Sequence, residues 1–73
     1  MITKEVELNI PAEQNNEPFF YNITKSFDLI TNIVEASFST TTGWAIVKFS
    51  GKDQELTKLF KFLEKKGVQI KFR

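Results

Sequence analysis

The chain has 73 residues, so it forms one domain near the lower size limit for unaided folding. Ten lysine and arginine residues against nine aspartate and glutamate residues leave a net charge of +1, which argues against a domain built mainly to hold a nucleic acid backbone. The absence of cysteine and histidine excludes disulfides, thiolate metal sites and histidine-dependent catalysis, and we expect no metal and no cofactor.

The first half of the chain predicts a strand, a helix and a second strand. Residues 3–10 alternate between apolar and polar side chains, as in a strand with one buried face. Apolar residues at helical spacing predict a helix over residues 18–27, which Asn15 or Asn16 can cap. An apolar segment predicts the second strand over residues 32–39.

The second half predicts a hairpin, an amphipathic helix and a last strand. Residues 39–43 are typical of a turn, and residues 44–49 predict the third strand. A helix with a leucine-rich stripe begins near Asp53, and Gly67 is its expected left-handed stop. Residues 68–73 alternate again and predict the fourth strand.

The order of these elements is β-α-β-β-α-β, which predicts a single α+β domain over residues 1–73 with a ferredoxin-like fold. In that fold a four-stranded antiparallel sheet carries both helices on one face and leaves the other face open. Strands 1 and 4 are neighbours, so their outward acids and bases are expected to pair. These side chains are Thr3, Glu5, Glu7 and Asn9 on strand 1, and Gln69, Lys71 and Arg73 on strand 4.

An apolar patch is expected on the open face near strands 2 and 3. Trp44 and Ile46 are expected to point outward from strand 3. In strand 2 the consecutive residues Ile33 and Val34 are both apolar, so an apolar side chain is expected on each face. Large exposed apolar patches tend to mark contact surfaces. We therefore predict a symmetric homodimer through the open sheet face, with Trp44, Ile46 and Phe38 as its interface residues.

RNA binding is the alternative function, because RNA-recognition motifs share the βαββαβ order. Residues 42–49 partly match the strand-3 signature of those domains. The matching positions are Gly43, Ala45, Val47 and Phe49. Trp44 could stack on a base. However, Thr42 replaces the leading basic residue and Ile46 the second stacking residue. Glu5 and Glu7 on the same face would repel phosphate, so nucleic acid is not the expected partner.

An enzyme is the third class of function. Glu5 with Glu7, or Asp53 with Glu55, could serve as an acid/base pair, but no neighbouring residue in the sequence points to a shifted pKa. Solvation at the surface explains each of these carboxylates. We therefore predict no catalytic residues and no enzymatic activity.

Short motifs along most of the chain resemble those of the NIL domain family, named for an Asn-Ile-Leu motif at the start of strand 2. The motif stands here as Asn32-Ile33-Val34. Gly43 before strand 3 and Gly51 after it match further family positions, as do residues 63–70 at the end of the chain. The resemblance covers the chain from about Ile2 to Phe72.

The resemblance implies a regulatory, amino-acid-binding domain of the ACT-like kind. The family is best known as the tail of the ATPase subunit in methionine-importing ABC transporters, where paired tails bind L-methionine at their interface and restrain transport. It implies a ligand site at Asn32, Ile33 and Val34. The amide of Asn32 suits the task, because it can donate to a carboxylate and accept from an ammonium group.

The chain departs from the transporter form in two respects. It contains no Walker phosphate-binding motif, and its hairpin between strands 2 and 3 is some four residues shorter. It thus resembles a free-standing NIL domain. The expected partners are a small amino-acid-like ligand, with methionine as the candidate, and a second copy of the chain, with another protein as the alternative.

The location in the cell is expected to be the cytoplasm. The chain lacks cysteine, its first residues alternate instead of forming a signal peptide, and no apolar run is long enough to cross a membrane. We expect no insertion into a membrane.

Overall fold

Six elements follow one another in the order that the sequence predicts. The computed structural model of the chain describes residues 1–11, 18–39 and 41–73. Its elements are β1 (Ile2–Pro11), α1 (Phe19–Ser26), β2 (Leu29–Phe38), β3 (Thr42–Gly51), α2 (Asp53–Lys65) and β4 (Gln69–Phe72). The strands form one antiparallel sheet in the order β2-β3-β1-β4, which confirms the ferredoxin-like α+β fold.

The strands of the hairpin are longer than predicted. The predicted second strand begins at residue 32, but β2 begins at Leu29, because Leu29 pairs with Gly51 at the far end of β3. At the other end, Thr42 and Gly43 belong to β3 and not to the turn, since they pair with Pro11 and Ile10 of β1. Tertiary pairing thus extends both strands beyond their apolar segments.

The start of α1 is only partly described. Pro18 occupies the N-cap position of this helix, directly before its first residue, Phe19. The predicted capping residues Asn15 and Asn16 lie outside the described residues, as does Thr40 of the predicted turn.

The core lies between the sheet and the two helices. Alternate side chains of β1 and β3 point toward the helices, and Leu56, Leu59 and Leu63 of α2 cover them at the predicted spacing. Phe19 and Ile23 of α1 complete the cluster. Each fully buried side chain of this size contributes about 1.5–3 kcal/mol through the hydrophobic effect.

The covered face of β1 and β3 is formed by Val6, Leu8, Ile10, Ala45, Val47 and Phe49. The helices protect β2 far less than they protect these two strands, because every residue from 32 to 38 is exposed.

Glu55 connects the first turn of α2 to the segment between α1 and β2. One carboxylate oxygen accepts a hydrogen bond from the backbone N–H of Asp28 at 3.0 Å. The other oxygen lies 3.1 Å from the ammonium of Lys58. Chiefly the Asp28 hydrogen bond, and then Lys58, hold the pKa of Glu55 below the ordinary value of 4.5. Glu55 therefore has a structural role.

This contact predicts a pH-dependent effect of Glu55→Gln on the free energy of unfolding. Because the folded-state pKa lies below that of the unfolded chain, the ionised Glu55 stabilises the fold above about pH 4.5, and this stability is lost as the pH falls through the folded-state pKa. Urea denaturation should show Glu55→Gln less stable than the wild type at pH 7, with a smaller difference at pH 3. Glu64→Gln in the same helix lacks the Asp28 contact and is the control. A difference that does not shrink at pH 3 would contradict the role of the charge.

Gly67 follows α2 and stops it by adopting the left-handed conformation, with φ of 80°. Its N–H donates to the carbonyl of Glu64, and the N–H of Val68 donates to the carbonyl of Leu63. Val68 is thereby turned into the core at 4% exposure. The predicted glycine stop is confirmed.

Replacing Gly67 with alanine should lower the free energy of unfolding by about 1–2 kcal/mol, because a side chain disfavours positive φ. A Cβ at this position has room, with Pro11 Cγ 3.8 Å away, so the cost is conformational and not a steric clash. Denaturant titration measures it. Lys61→Ala on the exposed side of α2 is the control and should stay within about 0.5 kcal/mol. Equal stability of Gly67→Ala and the wild type would refute the argument.

Candidate functional site

The open face is the side of the sheet that does not carry the helices. Strand register assigns its side chains, because directly opposed residues in an antiparallel sheet share a face. They are Thr3, Glu5, Glu7 and Asn9 of β1, Ile30, Asn32, Glu35 and Ser37 of β2, Trp44, Ile46, Lys48 and Ser50 of β3, and Gln69 and Lys71 of β4.

Charges of opposite sign meet across the open face. Glu5 lies between two cations, with one oxygen 3.5 Å from Nε of Arg73 and the other 3.9 Å from Nζ of Lys48. The predicted pairing of acids and bases across strands 1 and 4 is thus confirmed at Glu5. These side chains are 35–46% exposed and remain in contact with solvent, so each pair contributes only about 0–1 kcal/mol.

Trp44 is tied to its neighbour strand on this face. Its indole Nε1 donates a hydrogen bond to Oε1 of Glu7 at 2.7 Å, and its ring is half-buried. The two residues are diagonal neighbours, since Glu7 lies opposite Ile46 and Trp44 opposite Asn9. The sequence alone does not predict this bond, because the bond depends on the exact register of β1 against β3. Trp44 is consequently less available for contacts than an unpaired surface tryptophan.

The residues of the Asn32-Ile33-Val34 motif do not form one surface. Asn32 is exposed on the open face, directly opposite Lys48. Ile33 lies opposite Val47 and belongs to the helix side of the sheet. Val34 is the extra residue of a β-bulge, where the register shifts between Ile33 and Glu35. The structure therefore brings Asn32 together with Lys48.

The predicted interface residues divide between the two faces. Trp44 and Ile46 lie on the open face, as expected. Phe38 does not, because it lies opposite Gly43 on the helix side, where its ring packs edge to face against Phe20 with centroids 6.2 Å apart. The bulge is the physical reason, since it exchanges the faces of odd and even residues along the second half of β2.

A shallow cleft of about 250 Å³ lies at one end of the sheet, away from Asn32. The ends of β1, β3 and β4 line it, with Asn9, Thr42 and Gln69 as polar side chains. Among the described residues, no group of three or more acids is placed to hold a metal ion. No helix in the described part of the chain is both long and apolar enough to span a bilayer.

Comparison with known proteins agrees with this architecture. The fold and its open face define the chain as a ferredoxin-like α+β domain. The family model described as the NIL domain matches residues 4–71, so the chain belongs to the NIL domain family, and the match supports a regulatory domain of that type. No curated protein sequence matches the chain significantly.

A solved structure supports the same fold. It is the crystal structure of the C-terminal domain of an ABC transporter ATP-binding protein from Enterococcus faecalis, which aligns with a TM-score of 0.78 at 19% identity. The alignment covers 94% of this chain and 81% of that chain. At this identity the similarity shows the fold.

The Glu7–Trp44 hydrogen bond predicts a linked effect of two substitutions. Glu7→Ala should lower the free energy of unfolding by about 1 kcal/mol, because it leaves a half-buried indole N–H without its acceptor. Intrinsic tryptophan fluorescence during urea denaturation measures the loss. In a Trp44→Phe background, followed by circular dichroism, Glu7→Ala should cost much less. Equal costs in both backgrounds would show that the bond contributes nothing.

Proposed function

We propose that this NIL domain is a regulatory module that binds a small amino-acid-like ligand beside Asn32 and acts as a homodimer. The observation that carries the proposal is the position of Asn32. It is the first residue of the family motif, and its exposed amide lies next to the ammonium-bearing Lys48.

The chemistry around Asn32 suits a zwitterion with an apolar side chain. Lys48 and the amide N–H₂ of Asn32 can bind a carboxylate, and the amide oxygen can accept from an ammonium group. Ile30 and Val34 flank Asn32 along β2 and are more than half exposed, at 57% and 54%. They offer apolar surface to a side chain such as that of methionine.

Three of the four carboxylates considered as acid/base candidates have structural partners. Glu5 is held by Arg73 and Lys48, Glu7 by Trp44, and Glu55 by Asp28 and Lys58. These contacts support a binding domain over an enzyme. The same pairings disfavour RNA binding, because Trp44 is hydrogen-bonded to a carboxylate on the face where a base would stack.

A second copy of the chain is the proposed macromolecular partner, with a different protein as the alternative, and the cytoplasm is the proposed location. A domain of this size buries only about 60% of the surface that its unfolded chain exposes, so a partner that covers exposed apolar residues adds stability. The exposed apolar side chains of β2 are the surface available for that contact.

Isothermal titration with L-methionine tests ligand binding. We expect a saturable heat for the wild type at millimolar ligand, and Asn32→Ala should reduce the affinity about tenfold, as loss of one or two polar contacts does. Heat in the wild type that Asn32→Ala leaves unchanged would place the ligand elsewhere. No heat at all would refute methionine as the ligand.

Asn9→Ala is the matched control for this titration. Asn9 lies on the same open face but borders the cleft at the end of the sheet. Its substitution should leave the affinity for methionine unchanged. Loss of binding in Asn9→Ala alone would assign the ligand to the cleft and contradict the Asn32 site.

A further inference from the structure

The outer edge of β4 offers unpaired backbone groups. β4 is an edge strand, and among the described residues no strand pairs with its outer side. On its inner side the N–H of Arg73 donates to the carbonyl of Glu5. Alternate residues of an antiparallel strand bond in the same direction, so Lys71 also bonds toward β1, while Ile70 and Phe72 direct their N–H and C=O groups outward. Outward groups of this kind can bind an added strand.

The two faces of this edge differ in chemistry. On the helix side, Phe72 is 58% exposed, and its ring packs edge to face on Phe60 with centroids 5.0 Å apart. On the open face, Lys71 has no ion pair within the described residues. Arg73 approaches Glu5 through Nε at 3.5 Å, and the five N–H donors of a guanidinium allow it to bind a second carboxylate. The edge is therefore apolar on one face and cationic on the other.

The inner side of β4 already binds a strand of complementary chemistry. Residues 5–8 of β1 alternate between glutamate and an apolar residue. Glu7 lies opposite Lys71 on the open face, and Val6 lies opposite Phe72 on the helix side. A strand presents the same side chains to its neighbours on both sides within a sheet. The outer side of β4 therefore favours the same alternation of acidic and apolar residues that β1 supplies on the inner side.

We propose that the outer edge of β4 binds an extended segment of a partner protein in which acidic and apolar residues alternate. The segment adds a fifth strand to the sheet through backbone hydrogen bonds to Ile70 and Phe72. Its carboxylates lie beside Lys71 and Arg73, and its apolar side chains cover the exposed part of Phe72. The proposal goes beyond the ligand site and the homodimer of the proposed function and depends on neither.

Charge favours a different chain over a second copy of β4. Pairing of β4 with its own copy would gather Lys71 and Arg73 of both chains on one face, and basic residues on an edge strand are a usual means of preventing such pairing. The same two cations attract an acidic strand. Their charge therefore selects the partner, while the outward backbone groups and the ring of Phe72 supply the contact.

Fluorescence anisotropy with a labelled synthetic peptide in which glutamate and valine alternate tests the proposal. We expect saturable binding to the wild type. A peptide of the same composition, with its glutamates and valines in separate blocks, should bind about tenfold more weakly, because it cannot place carboxylates on one face and apolar groups on the other. Equal binding of the two peptides, or no binding of the alternating peptide at about 1 mM protein, would overturn the proposal.

A charge exchange at Lys71 tests the open-face contact. At about 150 mM salt, Lys71→Glu should weaken binding of the acidic peptide by on the order of tenfold and should favour a peptide in which lysine and valine alternate. Lys71→Gln should also weaken the acidic peptide and avoids an acid opposite Glu7, with the fold checked by circular dichroism. Lys61→Glu, on the exposed side of α2, is the matched control and should bind as the wild type does. Equal losses in Lys71→Glu and Lys61→Glu would show only general attraction and would refute the edge site.

A proline substitution tests the backbone contact. Phe72→Pro removes one outward N–H, and proline is tolerated on an edge strand where the N–H faces solvent. Phe72→Val removes the same ring but keeps the N–H, which makes it the matched control. Phe72→Pro should bind the peptide about fivefold more weakly than Phe72→Val, as loss of one hydrogen bond does. Equal affinities of the two variants would rule out strand addition.

Amide hydrogen exchange followed by NMR locates the added strand. With about nine-tenths of the protein bound to the alternating peptide, exchange at the N–H groups of Ile70 and Phe72 should slow about tenfold. The N–H of Lys71 already bonds toward β1 and should change little. Protection along β2 in place of β4 would put the peptide on the opposite edge of the sheet and contradict the proposal.

Discussion

The structure depends on the pairing of β1 with β3. These two central strands are in register over ten residues, from Ile2 opposite Gly51 to Pro11 opposite Thr42. Their side chains alternate in step, so one set faces the helices and packs against both of them. This set runs from Val6 to Ile10 on β1 and from Ala45 to Phe49 on β3. The other set forms the centre of the open face. A shift of one residue would exchange the two sets and expose the core.

Features that depend on local periodicity could be predicted from the sequence. The leucine stripe of α2, the alternation of β1 and the glycine stop at Gly67 each follow from the spacing of side chains along one element. The order of elements then predicted the fold and the pairing of acids on strand 1 with bases on strand 4, which the structure shows between Glu5 and Arg73. Features that depend on the exact register of two strands were missed. The Glu7–Trp44 hydrogen bond requires a diagonal relation across β1 and β3, and no pattern within either strand encodes it.

The bulge at Val34 had the largest effect on the candidate site. Between Leu29 and Phe38, apolar residues occupy both odd and even positions, so periodicity alone did not indicate which residues face the helices. Ordinary strand alternation places Asn32 and Ile33 on opposite faces, and the extra residue after them turns Phe38 toward Phe20 and away from Trp44. The family motif therefore marks the position of Asn32 correctly as a surface residue but does not describe a continuous patch.

The proposed ligand site and the proposed homodimer are thermodynamically linked. Asn32 lies next to Lys48 on the open face, where a carboxylate could bind. Any ligand that binds the dimer more tightly than the single copy also strengthens the dimer. Reciprocally, dimer formation raises the affinity for such a ligand. A small domain can in this way convert the concentration of a metabolite into an association state, which is the property that a regulatory module needs.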